Sequence, residues 1–119
     1  MGLCCQKLHE VEALTTSGDI TDVLLTNEIV GDKKLQRLDR LLRGGKNVAV
    51  LVDNLDNAAN LSALAAQGGY TLSGQSPVSF FSSIYSFMHF FCPLQVYIEV
   101  NVGQNRCGIE PSQVGAFAR

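Results

Sequence analysis

Short apolar blocks along the chain alternate between two periods. Residues Gly2–Cys5 (GLCC) form a brief run without charge, which predicts a strand. Residues 7–16 (KLHEVEALTT) place Leu8, Val11 and Leu14 at a spacing of three, the signature of one helix face, and Gly18 ends that helix. Residues 22–27 (DVLLTN) read as a second strand. After Gly31, Asp32 is placed to cap a helix carrying Leu35, Leu38, Leu41 and Leu42 inward as far as Gly44 and Gly45. Residues Asn47–Val52 (NVAVLV) are uncharged and β-branched, as expected of a strand covered on both faces. An alanine-rich helix follows over residues 57–67, with Leu61 and Leu64 on one side.

Strands that begin at residues 2, 22 and 47 and alternate with helices are spaced as βα units of a parallel sheet. The next strand, residues 96–102 (VYIEVNV), begins about 49 residues after the third, so the interval doubles. Deleting about 23 residues would restore it, and composition marks the same stretch. No Asp, Glu, Lys or Arg lies between Asn57 and Ile98, and eight of the nine aromatic residues lie from Tyr70 to Tyr97. Residues 73–95 are therefore expected to be an atypical aromatic insertion. Three origins compete for it. A membrane-spanning helix over residues 78–98 is just long enough, with 14 apolar residues in 21, but it contains four serines, His89 and Pro93 and lacks a basic flank. A lid over a site would leave Phe80, Phe81, Phe87, Phe90 and Phe91 exposed. Translated non-coding sequence, a retained intron ending in the pyrimidine-rich codons that can encode FFCPLQ, explains composition and broken rhythm together.

Composition narrows the function classes. The 119 residues suffice for one domain, and 46% hydrophobic content excludes wholesale disorder. A net charge of −2 supplies no basic field for nucleic acid or anionic lipid. The basic residues Lys33, Lys34, Arg37, Arg40 and Arg43 lie on one helix without interleaved aromatics, which is a solvated face rather than an RNA site. Four cysteines without a C-x-x-C pair, beside only two histidines, give neither a zinc site nor a disulfide framework. Reduced thiols in a cytoplasmic compartment are expected. The chain also enters its first strand without a polar tail: either the strand truly begins at residue 2, or a segment is expected upstream. No signal peptide fits, since there is no basic n-region and the apolar run is too short, and no myristoylation signal fits, since position 6 is Gln6.

In a parallel βα sheet, chemistry gathers where strands end. Those points hold Cys5-Gln6, Thr26-Asn27-Glu28, Asp53-Asn54 and residues 101–106. Arg106, in the glycine-flanked run GQNRCG, offers a fixed cation with planar donors for a phenolate, carboxylate or phosphate; pairing with Glu99 or Glu110 is the structural alternative. Gln6 could bond a ligand or cap the following helix. Asp53 is equally a cap candidate. Cys4 and Cys5 read as small core residues, with a reactive thiol as the alternative. Glu99, inside a strand, must face a polar mouth or find a partner.

The segments CCQKLHEVEAL, DVLLTNEIVG, VAVLVDN and VYIEVNVGQNRCGI resemble successive pieces of the D-threonine aldolase and D-serine dehydratase-like family. The likeness covers residues 2–70 and 96–111. It implies pyridoxal phosphate as cofactor, a D-3-hydroxy amino acid as substrate and a barrel of the alanine-racemase type. The implied fold is an incomplete (β/α)8 TIM-type barrel of about four βα units with parallel strands, the whole chain being a fragment of the cofactor-binding domain. Arg106 matches the arginine beside the cofactor ring, with Gln6, Asn27, Asp53 and Asn101 as further cofactor-binding candidates. Asn101 departs from the family's usual aspartate.

The resemblance also implies absences. The family's Schiff-base lysine lies upstream of CCQK, and Lys7, Lys33, Lys34 and Lys46 do not match it. The divalent metal of the complete enzyme would be held by His and Cys or Asp beyond Arg119, so no metal ligand is expected here. A complete enzyme could be a homodimer, whereas this chain alone is expected to be marginally stable and inactive. A D-serine dehydratase or racemase-type relative, and a non-catalytic cofactor-binding or interaction module, are the alternatives.

Overall fold

The computed structural model describes residues 2–70, 72–74 and 94–118, and the expected insertion, residues 73–95, falls almost wholly outside them. The first three βα units come as the hydrophobic pattern predicts: β1 (Gly2–Cys5), α1 (Leu8–Thr15), β2 (Asp22–Glu28), α2 (Asp32–Arg43), β3 (Asn47–Val52) and α3 (Leu55–Gly68). Two more strands follow, β4 (Leu72–Gly74) and β5 (Leu94–Ile98), then a 3-10 turn (Pro111–Gln113) and the single-turn helix α4 (Val114–Phe117). Among the described residues, no helix is long and apolar enough to cross a membrane.

All strand pairs are parallel, and the sheet order is β1-β2-β3-β5-β4. The register runs Cys4↔Leu24, Leu24↔Ala49 and Ala49↔Gln95 across the sheet. The expected strand at residues 96–102 thus begins earlier, at Leu94, and its regular part stops at Ile98. It lies directly beside β3, while the three-residue β4 takes the outer edge.

One face of the sheet is buried. Leu8 and Val11 of α1, Leu38 and Leu42 of α2, and Leu61 of α3 pack in one cluster with Val23, Leu25, Val48, Val50, Val52 and Leu94. The period of two along β3 puts Val48, Val50 and Val52 on that face and Asn47, Ala49 and Leu51 on the other. The uncharged run NVAVLV therefore has helices on one face only among the described residues, correcting the expectation of cover on both. Leu14 is 40% exposed; the inward face of α1 is completed instead by Thr15, whose hydroxyl donates to the Val11 carbonyl at 2.8 Å. Cys5 is buried but Cys4, on the opposite face, is exposed, so only one of the adjacent thiols is a core residue.

Helix starts depend on local hydrogen bonds that composition alone does not display. Glu10 reaches back so that its Oε2 accepts from the amides of Gln6 (2.9 Å) and Lys7 (3.0 Å), two donors that a helix start leaves without partners. Those bonds hold the Glu10 carboxyl below its ordinary range. Gly31, with φ +93°, occupies the cap of α2, and Asp32 is the first helical residue rather than the cap. At α3, Asn54 Oδ1 accepts from the amides of Asp56 (2.8 Å) and Asn57 (3.4 Å), which starts the helix two residues before the expected position. Asp53 is thereby released from capping. The solvent face of α2 carries the basic residues as expected, with Arg37 paired to Glu12 of α1 and Arg43 to Asp39.

Candidate functional site

Four strand ends converge on one rim. β1 leads into Gln6, β2 ends in Thr26-Asn27-Glu28, β3 leads into Asp53, and β5 leads through Glu99 into residues 101–108. Pairing of β2 with β3 shifts register between Leu25 and Glu28, so that Glu28 stands opposite Leu51. A bulge of this kind re-aims side chains at a strand end. Thr26 Oγ1 donates to the Cys5 carbonyl at 3.1 Å and ties the ends of β1 and β2 together. A cavity of about 270 Å³ opens here and draws Gln6, Asn27, Asn101 and Arg106 into one lining, with Glu28, Glu99 and Cys107 beside them.

The loop after β5 is built around Asn101. Its Oδ1 accepts from the amides of Gly103 and Asn105, both at 3.1 Å, and its Nδ2 donates to Asn105 Oδ1 at 2.8 Å. An aspartate could accept the first two bonds but could not donate the third, so asparagine at this position suits a neighbour with a carboxamide oxygen. These bonds hold Asn105 in the left-handed region at φ 51°. Asn101 thus lines the cavity while its side chain holds the loop. The loop base is closed by Asn101 N to Ile109 O and Ile109 N to Glu99 O, each 2.9 Å. Asp53 Oδ2 accepts from the Gly108 amide at 3.1 Å. Asp53 lines a neighbouring cavity rather than the one that holds Arg106, and its role is to fasten this loop to β3.

Arg106 is exposed and makes no hydrogen bond or ion pair among the described residues, so the alternative of pairing with Glu99 or Glu110 is not what the structure contains. Gln6 is exposed, and its backbone amide, not its side chain, is engaged at the start of α1. Asn27 is exposed, its Oδ1 accepting from the Glu28 amide at 3.0 Å.

An acidic group escaped recognition in the sequence. Carboxylate oxygens of Glu28 and Glu99 and the Cys107 sulfur lie within 4.8 Å of one another. Glu28 Oε1 is fully buried with no hydrogen-bond donor among the described residues. Burial pushes the Glu99 carboxyl above its ordinary range, helped by its hydrogen bond to Glu28 and the charges of Glu28 and Asp53; Arg106 opposes the shift. The Cys107 thiol is pushed up by the Glu28 charge first, then by burial and by Glu99 and Asp53, which disfavours a reactive thiolate. Groups this close must neutralise charge through a proton, a neighbouring cation such as Arg106, or a bound cation. The signal available in the sequence was limited to Glu28 closing a strand and Glu99 lying inside one; the register shift that joins them is not a local property.

No family profile matches the chain. It is 36% identical over 109 residues to the 3-hydroxy-D-aspartate aldolase of Paracoccus denitrificans, covering 92% of this chain and 22% of that protein. It is 33% identical over 108 residues to a D-threonine aldolase of an Arthrobacter species, covering 91% of this chain and again 22% of the relative. The crystal structure of D-threonine aldolase from Filomicrobium marinum superposes with a TM-score of 0.71 at 32% identity, over 98% of this chain and 26% of that one. The chain spans about a fifth of the length of the curated relatives it matches. In sequence and in structure, nearly all of this chain is similar to one part of these D-3-hydroxy amino acid aldolases.

Proposed function

We propose that this chain supplies one part of a pyridoxal-phosphate-dependent lyase for D-3-hydroxy amino acids. In this reading the four strands β1, β2, β3 and β5 are successive strands of an incomplete (β/α)8 barrel, and their rim cavity is the ring side of the cofactor site. The observation that carries it is Arg106, an arginine without a partner among the described residues, held by an Asn101-braced loop over a cavity that also collects Gln6 and Asn27. Position of β5 immediately beside β3 supports treating residues 73–95 as an interruption between the third and fourth units.

The donor set fits one end of the cofactor. Arg106 can give a planar charged donor to a phenolic oxygen. A phosphate would meet the Glu28 and Glu99 carboxyls in the same cavity, and a single arginine does not offset both, so the phosphate end belongs elsewhere. Pyridoxal phosphate bound there would withdraw electrons from the substrate's reacting bond and so assist aldol cleavage to glycine and an aldehyde. Gln6 and Asn27 are neutral groups able to orient a polar ligand, and Asn101 fixes the loop that carries Arg106. None of Lys7, Lys33, Lys34 and Lys46 lines this cavity.

Titration of the chain with pyridoxal phosphate, followed by the cofactor's absorbance, tests the assignment. Arg106→Gln is expected to weaken binding by about tenfold, the loss of one charge-assisted contact. Equal binding by both proteins would remove Arg106 from the cofactor site.

A further inference from the structure

We infer that Glu28 and Glu99 hold one proton between them as a carboxyl pair, and that this proton leaves Arg106 free to meet an anionic oxygen. Both glutamates are then positioning residues that act through Arg106. Which ligand brings the oxygen rests on the function proposed above; the pair itself does not.

The two glutamates flank the end of β3. On one side the shifted register pairs Glu28 with Leu51, and on the other the Glu99 amide donates to the Val52 carbonyl at 2.9 Å. Both residues are half-buried, and their carboxyl oxygens lie within 4.8 Å of each other and of the Cys107 sulfur. Glu28 Oε1 is fully buried, yet no donor reaches it among the described residues. Two ionised carboxylates can only accept hydrogen bonds, so at this range they repel. A single proton turns one of them into a donor and leaves one negative charge where there were two.

The surroundings favour the proton. Asp53, after β3, adds a third negative charge, and Gln6 and Asn27 are neutral. The Cys107 thiol is held in its neutral form by the Glu28 charge first and then by burial. Arg106 is the one cation among the described residues that line this cavity, and it opposes three carboxyls alone. It nevertheless pairs with none of them. A pair that carries its own proton accounts for this, because the remaining charge is engaged within the pair and the guanidinium stays exposed. Once that proton leaves to solvent, two full charges draw Arg106 onto them, in competition with any anionic ligand.

The test is carbon-13 NMR of the glutamate side-chain carboxyls in the full 119-residue chain, assigned with Glu28→Gln and Glu99→Gln. The Glu99 carbon should titrate above the ordinary glutamate range, and the Glu28 carbon should shift at that same pH. Glu28→Gln should lower the Glu99 step, whereas burial alone would leave it in place. The Nε–H of Arg106, assigned with Arg106→Gln, should exchange about tenfold more slowly above that step than the rise in hydroxide predicts. Glu99→Gln should abolish this slowing, and pyridoxal phosphate affinity should fall through the step in wild type but not in that variant. If a variant fails to fold, the shared step of the two wild-type carbons decides the matter. Carboxyls that titrate independently, Arg106 exchange indifferent to Glu99, or affinity that falls equally in both proteins would overturn the inference. So would a titration altered by a chelator, which would put a metal ion in the proton's place. A coupled pair that gates Arg106 in a chain binding no pyridoxal phosphate at any pH would instead contradict the proposed function and leave this inference standing.

Discussion

Gly108→Ala is expected to be the most damaging single-methyl change at the site. Gly108 has φ +98°, a conformation that alanine adopts only with strain. A Cβ built there would lie 2.7 Å from the Asn101 nitrogen, 2.9 Å from the Val100 carbonyl carbon and 3.2 Å from the Glu99 oxygen. Every one of those atoms is backbone, so none can swing aside. Relief requires the loop to move off the end of β5, breaking the parallel bridge between Val100 and Ile109 and the Gly108 amide bond to Asp53. We expect a loss of about 2–3 kcal/mol, from backbone strain plus one severed hydrogen bond. Urea denaturation measures it, and a midpoint equal to wild type would show that the loop is not seated on β5 as described. Arg106 and Cys107 move with this segment, so cofactor binding should fall as well.

The second large effect is on pH dependence. Glu99 has its carboxyl raised in the folded chain by burial and by Glu28. A raised folded value means that the folded chain holds this proton more tightly than the unfolded one. Stability from this source is complete below the unfolded value and is lost as pH rises through the folded one. The groups that face Glu99 are Glu28 from β2, Asp53 after β3, and Arg106 and Cys107 from the loop. Only Arg106 favours ionisation. Glu99→Gln keeps the shape and removes the titration, so the variant should be more stable than wild type at neutral pH. Their urea midpoints should converge as pH falls toward about 4.5, the ordinary glutamate range. Midpoints that stay parallel across that range would mean that Glu99 does not share its surroundings with Glu28.

What the sequence made legible was local or periodic. β1 and β3 have their expected ends because short uncharged runs bounded by polar and turn residues leave little choice. Leu38, Leu42 and Leu61 lie in the core because helical spacing alone puts them on one face. Features set by distant partners were less legible. Leu14 fits the helical period of α1 as well as Val11 does, but among the described residues no neighbouring element buries it. Asp53 and Asn54 are adjacent candidates for one cap; the choice fell to Asn54 because the other side chain is engaged 55 residues away at Gly108. Gln6, Asn27, Asn101 and Arg106 were named as strand-end residues, and parallel register brings them into one cavity. The Glu28–Glu99 contact depends on a register shift and on the order β2-β3-β5, neither of which is written in any local window.

The most direct test of the account is a graft. Residues 94–111 of this chain, carrying β5, the Asn101 loop and Arg106, replace the equivalent stretch of the Filomicrobium marinum D-threonine aldolase, and cleavage of D-threonine is measured. The account predicts a folded chimera that retains turnover within about tenfold, a barrier change of about 1.4 kcal/mol, and loses it on Arg106→Gln. A chimera that folds and binds pyridoxal phosphate but cleaves equally well with Arg106 or Gln at that position would contradict it.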